Sequence, residues 1–286
     1  MAKVGIIGGS GLYEMEGFEK KEEISLITPF GTPSANFVTG IMDGTEIVFL
    51  PRHGKGHKIN PTEVNYRANI FGMKKIGVDA IISVTACGSL KEHLKPMDFV
   101  VPDQMVDRTN RNRESTFFTE GIVAHVAFAE PFSQEIRQAI LDAAQKAGVT
   151  VHAGGTYLNM EGPQFSTKAE SNLYRSWGMD IIGMTNLTEA KLAREAEISY
   201  ASLAAVTDYD CWHPEHDSVT VEMIIQNLTK NVANAKKILK LAVPQIGKLT
   251  EFSAKDALKY ALITDPKVIP EHKKKELAIL IGKYVK

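Results

Sequence analysis

Short apolar runs alternate with amphipathic stretches along the whole chain, and no repeat, low-complexity block or Pro/Ser-rich linker interrupts them. That alternation predicts an α/β architecture. Residues 3–7 read as a first strand that runs directly into Gly8-Gly9-Ser10-Gly11. Residues 37–41 and 46–50 flank Asp43-Gly44, a two-residue hairpin signal. Asn60-Pro61-Thr62-Glu63 has the order of a helix start, predicting a helix that runs to Lys75. Residues 80–85 and 98–101 read as strands, and the stretch from Asp103 to Glu130 as a long irregular loop, functional or covering a subunit contact. Ile136, Ile140, Ala144 and Ala147 mark one helix face closed by Gly148. Residues 151–160 read as one strand, and Thr167-Lys168-Ala169-Glu170 as a capping box. Strands over 181–184 and 199–207 are separated by a helix over 188–196. A long helix covers 221–241, and one more follows Pro270.

Composition narrows the class. The 286 residues permit one domain or two, and 33 Lys+Arg against 34 Asp+Glu give a net charge of −1, no basis for a nucleic-acid partner. The two cysteines, Cys87 and Cys211, exclude a disulfide framework and a four-cysteine zinc site. Neither a secretory signal nor an apolar run long enough for a membrane span is present, so a cytoplasmic enzyme is the expectation.

Candidate chemistry collects where strands stop. Glycines in Gly8-Gly9-Ser10-Gly11 let backbone amides approach an anion. Counted from Gly9, Glu14 stands where a dinucleotide fingerprint needs its third glycine, and no G-K-[S/T] occurs. A plain tight turn and a phosphate loop of another type both fit. In Pro51-Arg52-His53-Gly54-Lys55-Gly56-His57, Arg52 offers a charged fork for phosphate oxygens and His53 a donor beside it. His53 and His57 have the spacing of a helical metal pair, but Gly54 and Gly56 oppose a helix, so no metal is expected. The alternative is a solvated basic loop. Thr85-Ala86-Cys87-Gly88-Ser89 brings a hydroxyl, a permissive glycine and a small thiol that reads as buried. Thr185, before a helix, lies near amide donors at the positive dipole end, or is an ordinary cap. The carboxylates of Thr207-Asp208-Tyr209-Asp210-Cys211-Trp212 suit an oxocarbenium, an amino-bearing base or a helix cap; calcium is disfavoured by the sparse oxygen spacing.

Together these segments resemble the purine nucleoside phosphorylase / methylthioadenosine phosphorylase family. The resemblance is carried by Gly5-Ile6-Ile7-Gly8-Gly9-Ser10-Gly11-Leu12, Pro29-Phe30-Gly31, Arg52-His53-Gly54, Val64-Asn65-Tyr66-Arg67-Ala68-Asn69-Ile70 and Thr85-Ala86-Cys87-Gly88-Ser89-Leu90. It continues through Asp107-Arg108-Thr109, Glu161-Gly162-Pro163-Gln164-Phe165-Ser166, Met184-Thr185 and Thr207-Asp208-Tyr209-Asp210-Cys211-Trp212. It implies a three-layer α/β/α fold with a mixed twisted sheet and a partly closed barrel. Residues 1–286 would form a single domain, with 251–286 its helical tail, assembled as a homotrimer. The implied reaction is phosphorolysis of S-methyl-5′-thioadenosine to adenine and 5-methylthioribose 1-phosphate, with phosphate as co-substrate and neither metal nor organic cofactor.

By the same resemblance Ser10, Arg52, His53, Thr85, the Ala86 amide and Thr185 hold phosphate. Met184 lies under the sugar, Phe165 packs on the base, His57 is a further pocket residue, and His125 reaches a neighbouring subunit's site. Glycosidic cleavage makes the purine negative, so a protonated carboxyl at N7 is needed, a role given to Asp208. Asp210, an acceptor, suits the exocyclic amine of adenine. Ser166 matches adenine-specific members, and Val221 accepts a methylthio group where 6-oxopurine members bind a hydroxyl. The same chemistry on methylthioinosine or 6-oxopurine nucleosides is the nearest rival. A nucleosidase using water is disfavoured by Arg52 with His53, and a dinucleotide oxidoreductase by the missing glycine. The tail after Pro270 reads as longer than in the family, with Lys273-Lys274-Lys275 a solvated helix face.

Overall fold

The computed structural model describes residues 1–9, 11–12, 15–110, 112–214 and 221–285, without the side chains of 221–224 and 228. Within these, strands β1 (Val4–Gly8), β2 (Phe18–Ile24), β3 (Phe37–Met42), β4 (Thr45–Pro51), β5 (Ala80–Ser89) and β6 (Phe99–Val101) come first along the chain. They are followed by β7 (Gln104–Arg108), β8 (Val151–Ala153), β9 (Thr156–Met160), β10 (Ile181–Gly183) and β11 (Ser199–Asp208). All eleven belong to one mixed sheet. The helices are α1 (Tyr66–Ile76), α2 (Gln134–Lys146), α3 (Lys168–Ser176), α4 (Asn186–Glu195), α5 (Val221–Gly247), α6 (Glu271–Glu276) and α7 (Ala278–Ile281).

The sheet is organised around β5. Its first half pairs in parallel with β1, and nearly its whole length pairs in parallel with β11. At Gly88 and Ser89 it pairs antiparallel with β10 instead. The sheet therefore forks, one arm running β5-β10-β9-β7 and the other β5-β11-β6-β8. No pairing among the described residues joins β7 to β8, so the barrel stays open. Strands β1 and β11 are buried along their full length, as parallel strands covered on both faces must be. One core layer packs α1, α4 and the tail against one face, through Ile70, Phe71, Ala193, Leu258 and Leu280. The other packs α2 and α5, through Ile136, Ile140, Ile238 and Val243. Three layers result.

Several local expectations hold, and others move. Asp43 and Gly44 adopt φ of 45° and 80°, the left-handed pair that a two-residue hairpin requires. Thr167 and Glu170 form the expected reciprocal capping box. Helix α1 begins at Tyr66, not after Asn60, because Asn65 accepts from the Ala68 amide at 3.1 Å and is its cap. Asn60 instead accepts from the Thr62 and Glu63 amides at 3.0 and 3.1 Å, closing a separate turn. The strand expected over 151–160 breaks into β8 and β9 because Gly154 and Gly155 take φ of 87° and 103°. Lys273 is not solvated; it is buried and pairs with Glu120 at 2.6 Å and Glu276 at 3.1 Å.

Candidate active site

The carboxyl ends of β1, β4, β5, β10 and β11 converge where the sheet forks. There they border a cavity of about 690 Å³. Ten of the expected site residues line it: Arg52, His53, His57, Thr85, Ala86, Phe165, Met184, Thr185, Asp208 and Asp210. Ser166 is not on the wall. It lies behind, its carbonyl accepting from Cys211 Sγ at 3.3 Å. His125 is exposed on the surface, its amide donating to Ala261 O at 2.8 Å. Ser10 and the Val221 side chain lie outside the described residues.

One wall gathers groups suited to an anion. Arg52 follows β4 and is almost fully buried; its Nε and Nη2 both engage the Glu189 carboxylate, with Nη2 to Oε2 at 3.1 Å. Ser83 and Tyr200 also donate to Glu189 Oε2, each at 2.8 Å. The guanidinium is thus fixed in place and its charge largely balanced before any ligand arrives. Glu189 lies in the first turn of α4, whose N-terminal end carries Thr185. Thr85, Ala86 and Gly9 complete this corner.

His53 differs from its expectation as a donor. Its Nδ1 sits 2.8 Å from the Ile59 carbonyl, which only accepts, so Nδ1 carries the proton. Burial, with Arg52 adding to it, lowers the imidazole to about 4, so the ring is neutral at pH 7 and Nε2 is an acceptor. An acceptor in that position is chemically suited to an O–H donor rather than to a bare anion oxygen. His57 stacks on it with ring centroids 4.4 Å apart. No cluster of three His, Cys, Asp or Glu side chains suited to a metal occurs among the described residues.

The opposite wall is acidic. At the end of β11 the register with β5 shifts between Val206 and Asp208, a bulge that redirects the strand end. Asp208 is buried, accepts from the Asp210 amide at 2.8 Å and contacts Thr207 Oγ1 at 2.7 Å. Burial pushes its carboxyl up to about 6. Asp210, held at φ 52°, is also raised by burial, while Ser171 and Ser166 act to lower it. Gly88 is closely packed here: a Cβ would meet Asp208 Oδ1 at 3.0 Å and Ile182 at 3.1 Å, so one of those side chains would have to give way. Below, Arg113 clamps the floor. It donates to the Met184 and Glu161 carbonyls and pairs with Glu161 Oε1 at 2.8 Å. Arg113, Glu161, Glu189, Ser83 and Tyr200 are the buried residues that the sequence reading missed.

A forked sheet beside a cavity with one anion-suited and one acidic wall is compatible with phosphate-dependent cleavage, and the chain belongs to the phosphorylase superfamily, whose family model matches residues 3–244. It is similar to the S-methyl-5′-thioadenosine phosphorylase of Geobacter sulfurreducens, 57% identical over 99% of both chains. That of Koribacter versatilis is 56% identical over 99% of this chain and 97% of its own. The alignments leave no room for an extended tail, so the segment after Pro270 is shared with these relatives. A crystal structure of methylthioadenosine phosphorylase from an Antarctic soil metagenomic library superposes with a TM-score of 0.93, at 49% identity and 98% coverage of each chain. The Schistosoma mansoni methylthioadenosine phosphorylase in complex with adenine gives 0.83, at 38% identity, covering 99% of this chain and 98% of its own.

Proposed function

We propose that this protein catalyses reversible phosphorolysis of S-methyl-5′-thioadenosine to adenine and 5-methylthioribose 1-phosphate. One observation carries the reading: Asp208, a buried carboxyl with its pKa raised to about 6, shares a cavity with the Arg52–His53–Thr85–Thr185 corner. Phosphate seated there faces the developing oxocarbenium and attacks its anomeric carbon. The glycosidic electron pair passes to the purine, and the Asp208 proton goes to N7. His53 Nε2 accepts the P–OH of the dianion, while Thr85, the Ala86 amide and Thr185 donate to its oxygens. Arg52, already committed to Glu189, Ser83 and the Val84 carbonyl, lends its remaining Nη1 N–H and a modest residual charge.

Met184 lies under the sugar, its carbonyl fixed by Arg113. Phe165, half exposed at the cavity mouth, offers its ring to the base. Asp210 accepts the exocyclic amine, which favours adenine over a 6-oxopurine, and Ser166 supports Asp210 from behind. Val221 provides the apolar contact for the methylthio group, and Ser10 joins the phosphate ligands. No cofactor enters this chemistry. Residues 1–286 act as one domain that includes the tail. Exposed Val123, Tyr260 and Ile263 lie near His125 in the chain pairing of 123–125 with 261–263, an apolar strip that supports a subunit contact there; we take the assembly to be a homotrimer in which His125 serves a neighbouring site. Free thiols at Cys87 and Cys211 suit a reducing cytoplasm.

The test is turnover of methylthioadenosine, adenosine and methylthioinosine with and without phosphate. Phosphate-dependent release of adenine, fastest from methylthioadenosine, is expected. Turnover indifferent to phosphate points to a nucleosidase and overturns the reading, and preference for methylthioinosine overturns the role of Asp210.

A further inference from the structure

Thr207 occupies the bulge just before Asp208 and is buried, at 2% exposure. Its Oγ1 lies 3.2 Å from the Cys87 carbonyl and 2.7 Å from Asp208 Oδ2. A threonine hydroxyl has one proton, and the Cys87 carbonyl can only accept it. Both contacts are hydrogen bonds at once only when the Asp208 carboxyl is itself the donor to Oγ1. When Asp208 is ionised, the same proton must turn from Cys87 O to Oδ2.

The backbone around this hydroxyl is held firmly. Asn227 and Asn231, one turn apart on α5, donate to the consecutive carbonyls of Thr207 and Val206 at 2.8 and 3.0 Å. The Asp210 amide occupies Asp208 Oδ1, so Thr207 is left as the partner of Oδ2. The titratable and charged groups nearby act against ionisation or indirectly. Asp210 repels from the same loop, and Cys87 is a thiol on β5. Glu170 and Lys168 of α3 act on Asp210 and Cys211.

We propose that Thr207 is a positioning residue whose hydroxyl serves Asp208 in both protonation states, as acceptor from the acid and donor to the carboxylate. The inference rests on Asp208 being the acid for the leaving base. With the base bound, the Asp208 O–H turns from Thr207 Oγ1 to N7; in the reaction that O–H bond breaks as N7–H forms, and the electron pair of the glycosidic bond stays with the purine. The Thr207 proton then leaves the longer neutral contact to Cys87 O for a charge-assisted bond to Oδ2, which stabilises the carboxylate as it forms.

Thr207→Val keeps the β-branched shape and removes the hydroxyl. A charge-assisted bond exceeds a neutral one by roughly a factor of ten in equilibrium terms, equivalent to about one pH unit. On the acid plateau of the profile, below about pH 6, kcat/KM of the variant for methylthioadenosine should therefore fall about tenfold, with the basic limb moved up about one unit so that the two profiles converge above it. An N7-methylated analogue, whose leaving base needs no proton, should lose less than about twofold. Thr207→Ser should restore both the rate and the profile. Equal losses on the two substrates, or an unmoved limb, overturn the role of Thr207. Asp208→Asn separates that failure from failure of the underlying reading: if it spares methylthioadenosine or impairs both substrates equally, Asp208 is not the acid, and both inferences fall.

Discussion

Replacing Glu189 with Gln tests whether Arg52 is held ready by a neutralising partner or is a free cation. Arg52 and Glu189 side chains are 3% and 2% exposed, and both carboxylate oxygens accept from the guanidinium. Gln keeps the volume but removes the charge and one acceptor. It also turns an NH2 group toward a site into which Arg52, Ser83 and Tyr200 already donate. Breaking a buried pair in this way costs about 3–5 kcal/mol, because the remaining charge is uncompensated. With an unfolding entropy of roughly 2.1 cal/mol/K per residue, or about 0.6 kcal/mol/K for 286 residues, Tm should drop by about 5–8 °C. Thermal unfolding followed by circular dichroism, with and without phosphate, reads the effect. Phosphate should raise the Tm of the variant more than that of the wild type, since it replaces the missing anion beside Arg52. The double variant Arg52→Met with Glu189→Leu should regain most of the Tm and lose the response to phosphate. A Tm within about 1 °C of wild type for Glu189→Gln, or an identical response to phosphate, refutes the pairing as described.

Asp208 links activity to stability. Its pKa rises from 3.8 unfolded to about 6 folded, so the folded state binds more protons between these values and stability falls as pH rises through that window. The loss by pH 8 is about 3 kcal/mol, and Asp208→Asn should raise Tm at pH 8, show no gain below pH 3.8, and abolish most turnover. Gly88→Ala forces a Cβ to within 3.0 Å of Asp208 Oδ1, and displacement of the carboxyl should lower kcat by an order of magnitude or more, with phosphate KM little changed. Glu197 is buried and accepts from Tyr284, from Lys283 at 2.7 Å and from the Leu258 amide at 3.1 Å. Glu197→Ala leaves that amide and hydroxyl without acceptors, at a cost of about 2–4 kcal/mol, and should expose the segment 255–285 to limited proteolysis while the rest of the chain persists.

What could be read from the chain beforehand followed from where burial is two-sided. β1, β5 and β11 are continuous apolar runs because both faces are covered, and their carboxyl ends carry the glycines, hydroxyls and carboxylates that line the cavity. β2 was illegible for the opposite reason: Glu19, Lys20, Lys21, Glu22 and Glu23 give no alternation, yet as an edge strand it needs only one partner, β3, and its charges discourage another. Helix α1 starts later than the sequence suggests because two asparagines five residues apart, Asn60 and Asn65, both satisfy nearby amides, and only packing decides which one starts the helix.

The hidden part of the site is the partner of Arg52. Glu189 lies 137 residues from it, in a helix turn where a glutamate ordinarily faces water. Yet a trace of it stood in the strands. Ser83 and Ser202 are polar residues inside apolar runs, and they occupy facing positions in the parallel register of β5 and β11. Two fully buried hydroxyls side by side need partners that an apolar layer cannot supply. Asn186 and Glu189 of α4, the helix laid across that spot, are those partners. A polar residue interrupting a buried strand therefore predicts a polar residue on the helix above it, and here that chain of demand leads from Ser83 through Glu189 to Arg52 and the cavity wall.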